Sequence, residues 1–316
     1  MNNLPIGVQV IADDAPGLLA GVVAADRAGL GTAWLTQGPT APDPLVVFTQ
    51  AATQTERVQL GTSIVTTYPR HPLALAQSAM AIDQLAPGRL RLGVGPSHEP
   101  IIDGFYGIPF VRPLENLREY LTVLNAILKE GEVSFRGESW QAQAKFGGRA
   151  RVSVLASALR PKAFGVCGEL ADGAISWMCP LPYIRDVAGP ALEAGAQQAN
   201  RTKPTMIVHV PVVLSEDTTA VRAAARKQFG FYQGMPYYSQ MLQDAGYPEA
   251  AGAEFSDAMS DGLVISGSEA AVGDRIRSLS AYGVDEMLAA IVLVGEKPQA
   301  TADRTLAFLG ELEQEA

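Results

Sequence analysis

The chain has few of the residues that build metal or thiol centres. Only two cysteines, Cys167 and Cys179, and three histidines, His71, His98 and His209, occur among 316 residues. Neither cysteine lies in a CxxC pair or in Cys/His ligand spacing, and no HxH or HExxH occurs, so no metal site is expected. A GxSxG nucleophile elbow is absent. Basic runs are absent as well: 24 Lys and Arg against 33 Asp and Glu leave a net charge of -9, which argues against nucleic acid or an anionic membrane as a partner. No apolar run is long enough to span a bilayer, and MNNLPIGVQV has no basic n-region before its short apolar run. These absences point to a soluble cytoplasmic protein in a reducing compartment, acting on a small molecule.

What the chain does have is 47% hydrophobic residues, arranged in a repeating order. Short β-branched runs alternate with Ala/Leu-rich amphipathic stretches. Strands are expected at Ile6 to Ile11, Thr32 to Thr36, Val58 to Thr66, Leu90 to Gly95, Arg151 to Ser157, Gly173 to Trp177, Thr205 to Leu214 and Glu286 to Val294. Helices are expected over Ala15 to Ala28, Pro44 to Thr55, Pro72 to Leu85, Pro113 to Lys129, Pro161 to Ala171, Leu181 to Gln198, Thr218 to Phe229, Ser268 to Tyr282 and Gln299 to Leu312. Asp43 and Ser268 are suited to cap the helices that follow them. Eight β-then-α units predict an α/β fold of the (β/α)8 TIM-barrel type, one domain over residues 1–316. The near-continuous apolar strands suit a parallel sheet covered on both faces. An open doubly wound sheet would want a Gly-rich fingerprint after the first strand. IGVQVIADDAPG lacks one, and GVGPSH after the fourth has His98 at the third glycine's place.

Two insertions interrupt the repeat. Val133 to Phe146 alternates around turn residues and reads as a surface β-hairpin before the fifth strand. Gln233 to Asp261, rich in Gly, Pro, Tyr and Met, reads as an irregular segment. It is either a lid that shapes a substrate pocket or a helical decoration that only packs.

Barrel chemistry gathers at the C-terminal ends of the strands. The residues there are Asp13 and Asp14, Thr36 and Gln37, Thr67 to His71, Ser97 to Glu99, Ser157 to Arg160, and Trp177 and Met178. The set is mixed polar and aromatic, with no outstanding carboxylate pair. Gly95 and Pro96 let backbone approach a ligand, and Ser97 adds a hydroxyl. Ser157, Ala158 and Leu159 precede a helix that opens at Pro161, where free N–H groups favour an anion, and Arg160 adds charge. Arg70 and His71 sit between Pro69 and Pro72. His71 either contacts a ligand or donates a proton, or it caps the helix, while Arg70 either faces a ligand or pairs with a carboxylate. Trp177 and Met178 are candidate pocket walls, and Trp34, mid-strand, reads as core. GFYGIPF (Gly104 to Phe110), which includes Tyr106, reads as a mobile loop over the site.

Three stretches together, LGTSIVTTYPRHP (Leu60 to Pro72), GRLRLGVGPSHEPIIDGFYGIPFVRPLENLREYL (Gly88 to Leu121) and ELADGAISW (Glu169 to Trp177), resemble the luciferase-like monooxygenase superfamily. More narrowly, they resemble its coenzyme F420-dependent oxidoreductase branch. The resemblance runs along nearly the whole chain and weakens over Gln233 to Asp261. It implies a (β/α)8 barrel and commonly a homodimer. It also implies a non-prolyl cis peptide at Ser63-Ile64, in a bulge of the third strand that backs the central ring of a flavin-like cofactor. On that reading Thr36, Gln37, Ser63, Ile64 and Val65 line the ring. Gly95, Pro96, Ser97 and His98, with Ser157 to Arg160, hold the phosphate tail. His71 is the catalytic candidate, and Tyr106, Trp177 and Met178 face the substrate. The cofactor so implied is coenzyme F420, serving hydride transfer to or from a C=C, C=N or alcohol/carbonyl substrate. The alternatives left open are an FMN-dependent monooxygenase and a flavin-binding barrel without turnover.

Overall fold

The computed structural model describes residues 4–252 and 254–315. Its strands, in chain order, are β1 (Ile6–Gln9), β2 (Thr32–Leu35), β3 (Gln59–Thr62), β4 (Val65–Thr66), β5 (Leu90–Gly95), β6 (Glu132–Arg136), β7 (Gln141–Lys145), β8 (Ser153–Ser157), β9 (Gly173–Trp177), β10 (Thr205–Val213), β11 (Ile265–Ser266) and β12 (Glu286–Ile291). Parallel pairing runs from β1 through β2 and β3 to β5, then β8, β9, β10 and β12, and β12 pairs back onto β1. The sheet is therefore a closed barrel of eight staves, the (β/α)8 TIM-barrel architecture. The third stave is split. β3 and β4 both pair with β5, and a cis peptide at Ser63-Ile64 lies between them.

The helices are α1 (Ala15–Ala28), α2 (Pro44–Gln54), α3 (Pro72–Leu85), α4 (Glu99–Tyr106), α5 (Pro113–Asn125), α6 (Pro161–Leu170), α7 (Leu181–Tyr183), α8 (Gly189–Gln198), α9 (Thr218–Gln233), α10 (Pro236–Asp244), α11 (Asp257–Leu263), α12 (Glu269–Arg277) and α13 (Pro298–Gln314). Several open on a proline, whose missing N–H costs nothing at a first turn. Asp14, Asp43, Asp217, Ser256 and Ser268 accept backbone N–H bonds at the starts of α1, α2, α9, α11 and α12. Two α-helices run on into π turns, α5 over Ala126–Glu130 and α7 over Ile184–Ala188.

The inserted hairpin is present as β6 and β7, paired antiparallel. Its turn is held by a residue the sequence did not single out. Buried Glu119 accepts N–H bonds from Glu138, Ser139 and Trp140 at 2.8, 2.8 and 2.9 Å. The stretch 233–261 differs from its reading as irregular, since it carries α10, a 3-10 turn at Pro248–Ala251 and the start of α11. GFYGIPF likewise is not all loop. Gly104 to Tyr106 finish α4, which ends on Gly107 at a positive φ of 63°.

Inside the barrel the side chains form layers. At the N-terminal end Arg91 pairs with Glu286 at 2.6 Å, and its guanidinium stacks on Trp34 at 4.9 Å from the ring centre. The middle layer is Trp34, Leu155, Ile175, Ile207 and Leu288, a dry cluster apart from the larger core between sheet and helices. Gly7 and Gly61 make room for it, because a Cβ at either would strike the Trp34 indole. Ile64 packs against this cluster from the C-terminal side.

Candidate active site

Above that plug, a directed chain of hydrogen bonds runs across the barrel mouth. His209 Nε2 and Gln9 Oε1 are 3.1 Å apart, Gln9 Nε2 donates to Thr36 Oγ1 at 3.2 Å, and Thr36 Oγ1 donates to the Ser63 carbonyl at 2.9 Å. With Gln9 Oε1 as acceptor, His209 carries its proton on Nε2. Side chains from three staves thus fix the end of the fourth, β3. Gln37 fixes the other side of the break: its N–H donates to the Ile64 carbonyl at 3.1 Å, and its Oε1 accepts from the Thr66 N–H at 3.1 Å. Gln37 was expected to line a ligand ring, but its acceptor is spent on bracing the strand. Val65, expected beside it, is fully buried in the core under the helices, because successive strand residues face opposite ways. Ile64 is the one that faces the mouth.

The neighbouring staves meet tightly here. A Cβ on Gly95 would collide with Ser157 Oγ and come within 3.3 Å of Ile64 Cγ1. Gly95 is therefore required by the fit between β4, β5 and β8. Beyond it, Ser97 takes a positive φ of 62°, which turns the chain into α4 with His98 at the N-cap. Ser97 and His98 have backbone N–H groups with no partner among the described residues, as do Leu159 and Arg160. Ala158 is tied down, its N–H donating to the Ile175 carbonyl at 2.9 Å.

Opposite lies an aromatic wall. Trp177 stacks at 4.2 Å on His209, and the Phe229 and Tyr232 rings each lie 5.6 Å away from it. Tyr232 meets Tyr238 at 5.0 Å, and Tyr238 meets His98 at 5.6 Å. Helices α9 and α10 thus close one side of the mouth. Burial pushes the His209 pKa down to about 3 and lowers that of His98 as well, so both rings are neutral near pH 7.

This fold and this mouth have relatives. The family model for the luciferase-like monooxygenase matches residues 7–286. The chain belongs to the luciferase-like monooxygenase family. Within the curated proteins it is 29% identical over 247 residues to an F420-dependent glucose-6-phosphate dehydrogenase of Kineococcus radiotolerans, covering 72% of each chain. Among solved structures, the coenzyme F420-dependent tetrahydromethanopterin reductase of Methanopyrus kandleri superposes with a TM-score of 0.79, at 21% identity and 98% coverage of both chains. The FMN complex of a Baeyer-Villiger monooxygenase from Pseudomonas putida gives 0.73, at 17% identity and 98% and 97% coverage. At those identities the two structures show the shared fold. Named relatives of this luciferase-like chain include F420-dependent oxidoreductases, and the chain is an enzyme of the oxidoreductase type.

Several candidate residues are engaged within the protein itself, and for His71 and Arg70 the capping and ion-pair readings are the ones seen. His71 caps α3: its Nδ1 accepts from the Leu73 N–H at 3.1 Å and its Nε2 lies 3.0 Å from the Gln141 carbonyl of the hairpin. Both nitrogens therefore have partners within the protein. Arg70 pairs with Asp43 at 2.8 Å. Arg160, expected to meet a phosphate, pairs with Asp244 of α10 at 2.7 Å. Met178, expected in the substrate pocket, takes a positive φ of 56° and is 1% exposed. Tyr106 is half-buried at the end of α4, and no ring contact joins it to the wall among the described residues. Among them, too, no three His, Cys, Asp or Glu side chains converge on a metal position, and no helix is long and apolar enough to cross a membrane.

Gln9, His209, Phe229 and Tyr232 were not foreseen as site residues, whereas Tyr238 lies in the 233–261 stretch that the sequence offered as a pocket-shaping lid. His209 carried one signal, a lone histidine in an otherwise apolar strand; the others had none that spacing could expose.

Proposed function

We propose that this enzyme binds coenzyme F420 across the barrel mouth and transfers hydride to or from a small organic substrate. The residues fit such a group. Ile64 offers an apolar floor on the barrel plug, held level by Thr36 and Gln37. Free N–H groups at Ser97, His98, Leu159 and Arg160 supply donors suited to an anionic tail. When bound, the deazaflavin supplies the hydride chemistry, accepting or giving two electrons as hydride at its central ring while a proton is exchanged with solvent or substrate.

The chain's own part is placement. The relay from His209 through Gln9 and Thr36 to the Ser63 carbonyl holds the floor without a mobile charge, since each member is neutral. The wall of Trp177, Phe229, Tyr232 and Tyr238 excludes water from the face opposite the floor, which keeps the transfer site dry. Thr36 is exposed and fits the edge of a ring, and Ser157 fits the start of the tail.

The observation that carries this reading is the position of Ile64, seated on the barrel plug between the Gly95–Ser157 contact and the polar relay. The test is titration of the purified protein with coenzyme F420 and, separately, with FMN, followed by fluorescence. Tighter binding of F420, and anaerobic oxidation of reduced F420 when an acceptor is added, is the expected result. Tighter FMN binding with substrate-dependent oxygen consumption would replace it with the monooxygenase reading. Binding of neither would remove both.

A further inference from the structure

We infer that the substrate half of this mouth is built for a neutral, ring-bearing, largely apolar compound and disfavours carboxylates and phosphates; this rests on the reading above that the mouth is the catalytic site. The wall facing Ile64 is a continuous series of rings: His209, Trp177, Tyr232, Tyr238 and His98, each within 4.2 to 5.6 Å of the next by ring centres. It continues outward. Phe231 lies tilted against Tyr232 at 4.0 Å and is 59% exposed, and Tyr237, next in sequence to Tyr238, is 60% exposed. An apolar lip therefore leads from solvent to the buried rings.

The arginines near the mouth are already paired. Arg160 is paired with Asp244, and Arg70 with Asp43. Farther out, Arg112 pairs with Glu138. His98 and His209 are held neutral by burial. Lys162 is exposed at the second position of α6, beside the loop assigned to the cofactor tail and not in the wall. An anionic substrate seated against the rings would lose its hydration with no cation in return, a large penalty. A neutral ring would exchange water for edge-to-face and offset contacts, which aromatic pairs favour. The discrimination follows from the absence of a counter-charge more than from shape, so it applies to the class of compound and not to one molecule.

The probe pair is acetophenone and benzoate, which share a ring and differ in charge. Both are titrated into the protein in phosphate buffer, so that inorganic phosphate competes for the anion-binding loops, and binding is read by calorimetry. Acetophenone is expected to bind at least about tenfold more tightly than benzoate. Trp177→Ala should weaken acetophenone by about tenfold or more. Tyr232→Lys, which places a cation in the wall, should reverse the order, while Tyr232→Phe should preserve it. Circular dichroism of each variant confirms that it is folded. Equal affinities, a preference for benzoate, no acetophenone binding, or a folded Tyr232→Lys protein with the order unchanged overturns the inference. Cofactor titration separates the two claims. F420 binding with a preference for benzoate leaves the proposed function standing, whereas a preference for acetophenone without cofactor binding leaves only the pocket chemistry.

Discussion

His209 and Gln9 lie 200 positions apart and meet at 3.1 Å in the barrel mouth, the imidazole donating to the amide oxygen. The bond lets a buried histidine stay neutral and still satisfy its N–H. It also gives stability a pH dependence. The His209 pKa is pushed down to about 3 by burial, whereas the unfolded chain protonates near its ordinary value. Its contribution is complete above about pH 6.5, falls as pH drops, and stops changing below about pH 3. Between about pH 7.5 and about pH 5 it should remove about 2 kcal/mol of unfolding free energy. His98, also lowered, acts in the same direction. Urea unfolding at the two pH values measures the loss, and His209→Gln, which keeps a donor for Gln9, should reduce it by about that amount. An unchanged pH slope in the variant would contradict the assignment.

Gly95→Ala should strain the contact between β5 and β8. The added methyl meets Ser157 Oγ and Ile64, and overpacking of this kind costs about 1–3 kcal/mol. Removing the hydroxyl with Ser157→Ala in the same chain should recover part of that loss. Denaturant midpoints of the two singles and the double measure it; strict additivity would mean the two positions do not touch.

Arg91 and Glu286 close the opposite end of the barrel at 2.6 Å, with side chains 13% and 7% exposed. Glu286→Leu leaves a nearly buried guanidinium without its partner and should cost about 3–5 kcal/mol. Arg91→Met with Glu286→Leu should restore most of it. Because the pair lies below the Trp34 layer, cofactor affinity should be unaffected in whichever variants fold. A parallel loss of affinity would show that the bottom layer also shapes the mouth.

His71→Asn should retain turnover to within about threefold. Asparagine is itself a good N-cap, so α3 keeps its start, whereas His71→Ala should destabilise by about 1 kcal/mol. Loss on the order of 100-fold in kcat for a stably folded Asn variant would return His71 to catalysis.

Much of the barrel was legible along the chain because its signals are local. The helix Pro72–Leu85 and the strand Gly173–Trp177 were expected at the bounds they have, since proline, caps and apolar periodicity act within a few residues. The π turns after α5 and α7 and the bounds of the helices in the 233–261 insertion were not, because tertiary packing overrides weak or mixed propensity there.

The candidate site divides in the same way. The Gly95 and Ser157 loops could be placed at the strand ends because glycine, serine and a helix-opening proline mark turns by themselves. Which of two readings holds for His71, and the partner of Arg160, could not be told, since a side chain is claimed by whichever partner the fold brings nearest: the Leu73 N–H and Gln141 carbonyl for one, Asp244 for the other. The amino-acid order by itself determined eight parallel strands with their helices, and which loops would crowd one end. Only closure of the barrel decided that Gln9, Thr36, Ser63 and His209 join in one relay, and that Tyr232 and Tyr238 face Trp177. Those contacts span staves far apart in sequence, where no short-range preference reaches.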